Sequence, residues 1–230
     1  MKMLGLIGGT TWLSTLDYYR LLNEGVNQRR GGNEYARCLL YSLNFGDIVK
    51  INERRDWDAA LELFADAAMR LKNAGAEGLV LCANTAHVIA DRLESRVGLP
   101  LIHIADATAH AIRKARLERV SLLGTRYTME LDFFKDRLAW HGITAVVPNA
   151  DEREFIHGTI FGELAKNVIR PETRDRYLRI MDRMATQDGA RGAILGCTEI
   201  PLLIKQSDTK IPVFDTTALH AAAAVDFALE

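Results

Sequence analysis

Short runs of leucine-rich or β-branched residues recur down the chain, and longer stretches with apolar residues at three- and four-residue spacing separate them. The runs predict strands over Leu4–Ile7, Cys38–Leu43, Gly78–Cys82, Leu101–His103, Val120–Leu123, Thr144–Val147, Ala193–Gly196 and Ile211–Phe214. Between them, "DWDAALELFADAAMRLK" from Asp56 to Lys72 has a helical period, as does "DFFKDRLAWHG", closed by Gly142. Strand and helix alternating in this way imply parallel strands with helices on the faces, joined by right-handed crossovers. The arginine-rich run "RPETRDRYLRIMDRM" carries both signs and reads as a solvated helix face.

The pattern occurs twice. "LIGGTTWLSTLDYY" pairs with "LLGTRYTMELDFF", matching Gly9 with Gly124, Thr10 with Thr125 and Asp17 with Asp132. Farther on, "GAEGLVLCANT" from Gly75 pairs without gaps with "GARGAILGCTE" from Gly189, and "LPLIHIADATAHA" echoes "IPVFDTTALHA". The expected fold is therefore α/β, with two pseudo-symmetric domains, each a four-stranded, mostly parallel sheet flanked by helices. The expected domains are 1–107 together with 212–230, and 108–211.

Composition narrows the function classes. Lys and Arg (29) nearly balance Asp and Glu (30), and no long basic block is present, so nucleic acid and anionic membrane are poor partners. The start "MKMLGLIGGTTW" reaches glycine too early for a signal peptide, and no apolar run is long enough to span a membrane. Three cysteines (Cys38, Cys82, Cys197), odd in number and widely spaced, do not form a disulfide framework. A cytoplasmic protein with free thiols is expected.

In parallel sheets, ligands bind beyond the carboxyl ends of strands. Four segments should occupy such turns: "GGTTW", "CANTAH", "LGTRYT" and "GCTEIP". Each presents small or hydroxyl residues at a helix start, which suits a carboxylate or phosphate. Two such units facing one another would build one active site in the interdomain cleft. Equivalent residues would then reach in from opposite sides, as suits removing a proton from one face of a carbon and returning it to the other. A thiol does this work as thiolate, and an unperturbed cysteine of pKa ~8.5 is only a few per cent ionised at neutral pH. Half ionisation needs a shift of roughly 1.5 units, about 2 kcal/mol, within reach of a helix N-terminus plus one or two hydrogen bonds. Cys197, followed by Thr198 and Glu199 at a strand end, is the stronger candidate; Cys38, in mid-strand without polar companions, reads as core.

Other chemistries are weaker. "GLIGG" lacks the full glycine spacing of a dinucleotide site, and no clear acidic residue ends the next strand. Cys82 and His87 are a lone pair rather than a clustered zinc ligand set. His87, His110 and His220 suit a structural or capping role as well as a catalytic one, and Lys166, on spacing alone, reads as a solvated helix residue.

"GLIGGTTWLSTLDYY", "CANTAH", "LLGTRYTM", "GCTEIPLLI" and "PVFDTTALHA" together resemble the cofactor-independent aspartate/glutamate racemases, essentially from end to end. The resemblance implies two similar α/β domains with the substrate between them, a homodimer, and two opposed cysteines as acid and base on the α-carbon, without pyridoxal phosphate or metal. It implies that Thr10, Asn84, Thr85, Thr125 and Thr198 contact a small acidic amino acid, with Asn84 and Thr85 near its α-carboxylate. Glu199 would support the thiol, and Asn52 and Lys166 fall where relatives hold the side-chain carboxylate.

One departure stands out. The usual first cysteine immediately precedes the Asn-Thr pair; here that place is Ala83, and Cys82 lies one residue earlier. The ungapped repeat also maps Ala83 onto Cys197. Because strand side chains alternate, Cys82 should point away from the face that Ala83 shares with the counterpart of Cys197. Parity loosens where a strand ends, so Cys82 stays a second candidate thiol. The expected function is racemisation of aspartate or glutamate, one-sided if Ala83 has no substitute. The alternatives are a one-thiol decarboxylase or isomerase of a dicarboxylate, or a non-catalytic amino-acid binder.

Overall fold

The computed structural model describes residues 1–230. The chain divides into two compact units, Met1–His103 with His220–Glu230, and Ile104–Leu219. In the first unit the elements run β1 (Leu4–Gly8), α1 (Trp12–Arg30), β2 (Cys38–Ser42), α2 (Phe45–Arg54), α3 (Trp57–Asn73), β3 (Gly78–Leu81) and α4 (Ala90–Val97). In the second they run α5 (Ile104–Lys114), β4 (Arg119–Gly124), α6 (Arg126–Glu130), α7 (Asp132–Trp140), β5 (Thr144–Val146), α8 (Ala150–Gly162), α9 (Pro171–Gln187), β6 (Ala193–Gly196), α10 (Ile200–Leu203) and β7 (Val213–Asp215). The last helix, α11 (Thr216–Leu229), begins in the second unit, and its residues from His220 onward belong to the first.

Both sheets are parallel throughout, in the orders β2-β1-β3 and β5-β4-β6-β7. Every residue of β1 and β3 is buried, as a parallel sheet covered on both faces requires. Alternation sorts their side chains into two cores. Ile7, Leu79 and Leu81 pack with Phe64, Leu71 and Leu93 of α3 and α4. Leu4, Leu6, Val80 and Cys82 face the other way, onto Tyr18 and Leu22 of α1 and onto Ala221 and Val225 of α11. In the second unit Leu123, Leu195 and Cys197 pack with Tyr177 and Met181 of α9, while Leu122 and Ile194 pack with Ile104, Phe134 and Phe214.

The sheets differ from expectation in two places. The first has three strands, not four, because Leu101–His103 makes only one parallel bridge, Leu79 to Leu101. The Glu94 carboxylate takes the Leu101 N–H at 2.9 Å, and α5 starts at Ile104, so the extended stretch ends at once. The stretch from residue 212 was expected with the first unit, yet β7 pairs with β6 through Val213, Phe214 and Asp215. Phe214 is buried beside Ile194, so its core contacts hold β7 in the second sheet.

The strand registers also shift the pairing of the two repeats. Ile7 pairs with Leu81, and Leu123 with Leu195, so the counterpart of Gly124 is Gly8 rather than Gly9. The cap that opens α1 is Thr11, whose side chain accepts the Ser14 N–H; Thr125 opens α6 by accepting the Thr128 N–H. Gly9 and Thr10 therefore form a two-residue insertion with no counterpart. Gly9 has φ +87°, and an added Cβ would lie 2.0 Å from the Leu43 carbonyl oxygen, so only glycine fits there.

Long-range polar links also cross the core of the first unit. Tyr18 Oη lies 2.7 Å from His220 Nδ1, and His220 Nε2 lies 2.6 Å from the Ile102 carbonyl oxygen. A carbonyl only accepts, so Nε2 carries the proton and Nδ1 accepts from Tyr18. Burial and the neighbouring His87 push the His220 pKa down to about 3, and burial holds His87 well below the ordinary histidine range. Both rings thus fold neutral. Between the unfolded value of ~6.5 and these depressed values the unfolded chain binds the extra protons, so this contribution is complete above pH ~6.5 and falls as acid is added. At about 1.4 kcal/mol per pH unit per histidine, urea unfolding should find the protein about 2–4 kcal/mol less stable at pH 5 than at pH 7. Equal stability at the two pH values would contradict the buried neutral pair.

Candidate active site

In the second unit the carboxyl ends of β4, β6 and β7 carry Thr125, Cys197 and the start of α11. The glycines ending β4 and β6 make this edge tight. A Cβ on Gly124 would lie 2.7 Å from the Gly196 oxygen, and one on Gly196 would lie 2.8 Å from the Leu123 oxygen. Gly124 and Gly196 are register partners, so Thr125 and Cys197 leave adjacent strand ends.

Cys197 continues the side of β6 that carries Ala193 and Leu195, and it is 8% exposed. Its thiol donates to Glu199 Oε2 at 2.9 Å, and the Thr198 hydroxyl donates to the same oxygen at 2.7 Å. Burial raises the thiol pKa well above its ordinary value, and the Glu199 carboxylate adds to the rise; the N–H groups of Glu199 and Thr198 oppose it. This reverses the expectation that a helix start would lower the pKa, because α10 is one turn long and a buried carboxylate stands against the sulfur. The resting group is a thiol whose proton already points at a base.

In the first unit the equivalent turn leaves β3 through Ala83, Asn84 and Thr85. Leu79 and Leu81 match Ala193 and Leu195 in facing the α3 side, so the next place on that side is Ala83, the counterpart of Cys197. Asn84 is 4% exposed, and Thr85 opens a 3-10 turn, Thr85–Ile89. Cys82 is fully buried on the opposite side among Leu4, Leu6 and Val80, with its sulfur 3.9 Å from the Val80 oxygen. Burial raises its pKa still further from ionisation than that of an ordinary thiol. The structure therefore places Cys82 in the core rather than beside the turn, and its carbonyl accepts the Ser14 hydroxyl at 2.6 Å. Cys38 is half-buried in β2, and burial raises its pKa too.

Thr10 sits in the β1–α1 insertion, and its buried hydroxyl has no protein partner. Asn52 lies in the last turn of α2, where its carbonyl accepts the Arg55 N–H at 3.0 Å. Lys166 is exposed at the end of the 3-10 turn Leu164–Lys166, just after α8, and Asn167 follows with φ +56°. These two stand on helical segments, not at strand ends. His110 lies on α5 with its ring centroid 5.3 Å from that of His141, which bonds Asp106 at 2.9 Å, and so belongs to a group tying α5 to α7. Sequence reasoning missed Thr217, in the first turn of α11 just after β7. It is 4% exposed, and its hydroxyl also has no protein partner. The only signal was its place in "PVFDTTALHA". Asp215 accepts the Thr217 and Ala218 N–H groups, and Thr216 donates to the Leu195 oxygen, which fastens this turn to β6.

No cluster of three or more His, Cys, Asp or Glu side chains could hold a metal ion, and no helix is long and apolar enough to cross a membrane. Residues 7–224 match the family model for Asp/Glu/Hydantoin racemase. The chain belongs to the Asp/Glu/Hydantoin racemase family. It is similar along its whole length to the structure of a candidate Asp/Glu racemase from Yersinia pestis (47% identity, TM-score 0.94, all of both chains covered). An aspartate racemase homologue from Pyrococcus horikoshii OT3 is similar at 36% identity and TM-score 0.87, again over all of both chains. The broad specificity amino-acid racemase RacX of Bacillus subtilis (strain 168) is 22% identical over 97% of this chain and 96% of its own. As a member of this racemase family, the chain is an isomerase.

Proposed function

We propose that the protein moves the α-proton of a small acidic amino acid, aspartate or glutamate, with Cys197 as the acid/base and without a cofactor. The observation that carries the reading is the Cys197–Glu199 pair, in which a buried thiol donates to a buried carboxylate at 2.9 Å. When substrate is bound, Glu199 takes the thiol proton, the thiolate takes the α-proton, and the electron pair left on carbon is delocalised into the α-carboxylate. Thr125 and Thr198 serve as neutral contacts, and Asn84 and Thr85 take the α-carboxylate. Lys166 and Asn52 are assigned to the second carboxylate, which agrees with the aspartate and Asp/Glu racemase names of the similar structures.

Ala83 sets the limit of this chemistry. A methyl group moves no proton, so the second acid/base needed for inversion must be water, and inversion is slower than proton exchange. That same substitution favours a second reading, one-thiol decarboxylation or isomerisation of a dicarboxylate, which product analysis on substituted malonates and maleate separates from the first. The direct test incubates L- and D-aspartate and L- and D-glutamate separately with the protein in deuterium oxide. The α-proton and the enantiomer ratio are followed by NMR and chiral chromatography. Deuterium should enter at least one enantiomer; no incorporation into any of the four rejects the racemase reading.

A further inference from the structure

Three histidines far apart in sequence form a buried group in the first unit. The His87 ring centroid lies 4.8 Å from that of His103 and 5.2 Å from that of His220. His87 is 2% exposed. It reaches the substrate turn twice: its ring Nδ1 lies 2.9 Å from the Ala83 oxygen, and its backbone N–H donates to the Asn84 oxygen at 3.0 Å. Resting on the racemase reading, we infer that His87 is a positioning residue for recognition of the substrate carboxylate, clamping the Ala83–Asn84 peptide so that its N–H is held in one direction.

The argument is geometric. The Ala83 carbonyl can only accept, so with the proton of the neutral imidazole on Nδ1 the ring donates to this peptide; the Ile102 carbonyl also faces the ring. In a trans peptide the C=O and the following N–H point in opposite directions. Holding the Ala83 oxygen against the imidazole therefore turns the Asn84 N–H away from it, in the segment assigned to the α-carboxylate. The clamp is itself held. His103 and His220 pack edge-on against the ring, and His220 is pinned by Tyr18 and the Ile102 oxygen. This also accounts for histidines that the chemistry at Cys197 does not use.

The test compares wild type, His87→Leu and His87→Asn. Leucine occupies similar space without a donor, whereas the asparagine amide can place an N–H where Nδ1–H stands. Calorimetry gives Kd for L-aspartate and L-glutamate, and α-proton exchange gives KM and kcat. Negative charge builds on the α-carboxylate as the proton leaves, so a contact to it strengthens in the transition state, and its loss raises Kd and KM and also lowers kcat. His87→Leu should raise Kd and KM by ~10-fold, the worth of one good hydrogen bond, and His87→Asn should return both to within about threefold of wild type. Unchanged Kd and KM in folded His87→Leu overturns the inference. So does a His87→Asn protein as impaired as His87→Leu, because that outcome marks a packing role. If His87→Leu does not fold, His87→Asn decides alone: values near wild type support the clamp, and a rise of ~10-fold or more rejects it. Binding without exchange in wild type would sink the racemase reading while leaving the Kd comparison valid, and absence of binding by both amino acids overturns both.

Discussion

Cys197→Ala should lose α-proton exchange about a thousandfold while keeping its fold. A positioned general acid/base is worth ~10²–10⁴ in rate, and in the proposed mechanism the same sulfur removes and returns the proton. The Glu199 carboxylate cannot take over, because it stands behind the sulfur as the acceptor of both the thiol and the Thr198 hydroxyl. Removing one buried sulfur should cost only about 1–2 kcal/mol of stability, so circular dichroism and the melting curve should stay close to wild type. Exchange that persists undiminished in a folded Cys197→Ala protein would move the acid/base elsewhere. A thousandfold loss corresponds to about 4 kcal/mol of barrier, far above the stability change, so the two readouts cannot be confused.

Much of this arrangement was legible in the sequence, for physical reasons. Strands of a parallel sheet are buried on both faces, so β1, β3 and β6 appear as unbroken apolar runs. The ungapped pairing of the segments around Cys82 and Cys197 then shows, through strand alternation alone, that Ala83 and not Cys82 matches the thiol. What stayed hidden depends on contacts between distant residues. The insertion of Gly9 and Thr10 was invisible because one averaged alignment spans a strand match at Gly8 and a cap match at Thr11. The place of β7 follows the echo of "LPLIHIADATAHA", in which Leu101 matches Val213: Leu101 bridges Leu79 and Val213 pairs with Ala193, so the domain boundary at 212, rather than the repeat, departs from the structure. The rise of the Cys197 pKa required knowing that Glu199, two residues on, folds back onto the sulfur. Tyr18, His87 and His220 meet only in three dimensions.

Ala83→Cys is the complementary change, and its signature is a ratio rather than a direction. The two enantiomers have equal free energies in water, so kcat/KM for inversion must be the same from either side, whatever groups the protein supplies. A one-thiol enzyme therefore reveals itself by washing deuterium into one enantiomer faster than it forms the other, because Cys197 returns an exchanged proton to the face from which it came. The repeat assigns the missing second group to position 83. A cysteine there should raise inversion about a hundredfold in both directions, the low end of acid/base catalysis, and should bring exchange without inversion down toward parity. It should also open exchange from the enantiomer that was previously slow. Position 83 is half-buried, and its neighbour Asn84 is buried, so a thiol can be added without filling a core. Cys82→Ala is the control: that sulfur packs among Leu4, Leu6 and Val80, so its loss should lower stability modestly and leave exchange within about twofold of wild type. No gain in Ala83→Cys, together with a strong loss in Cys82→Ala, would reverse the assignment and require the end of β3 to turn over when substrate binds.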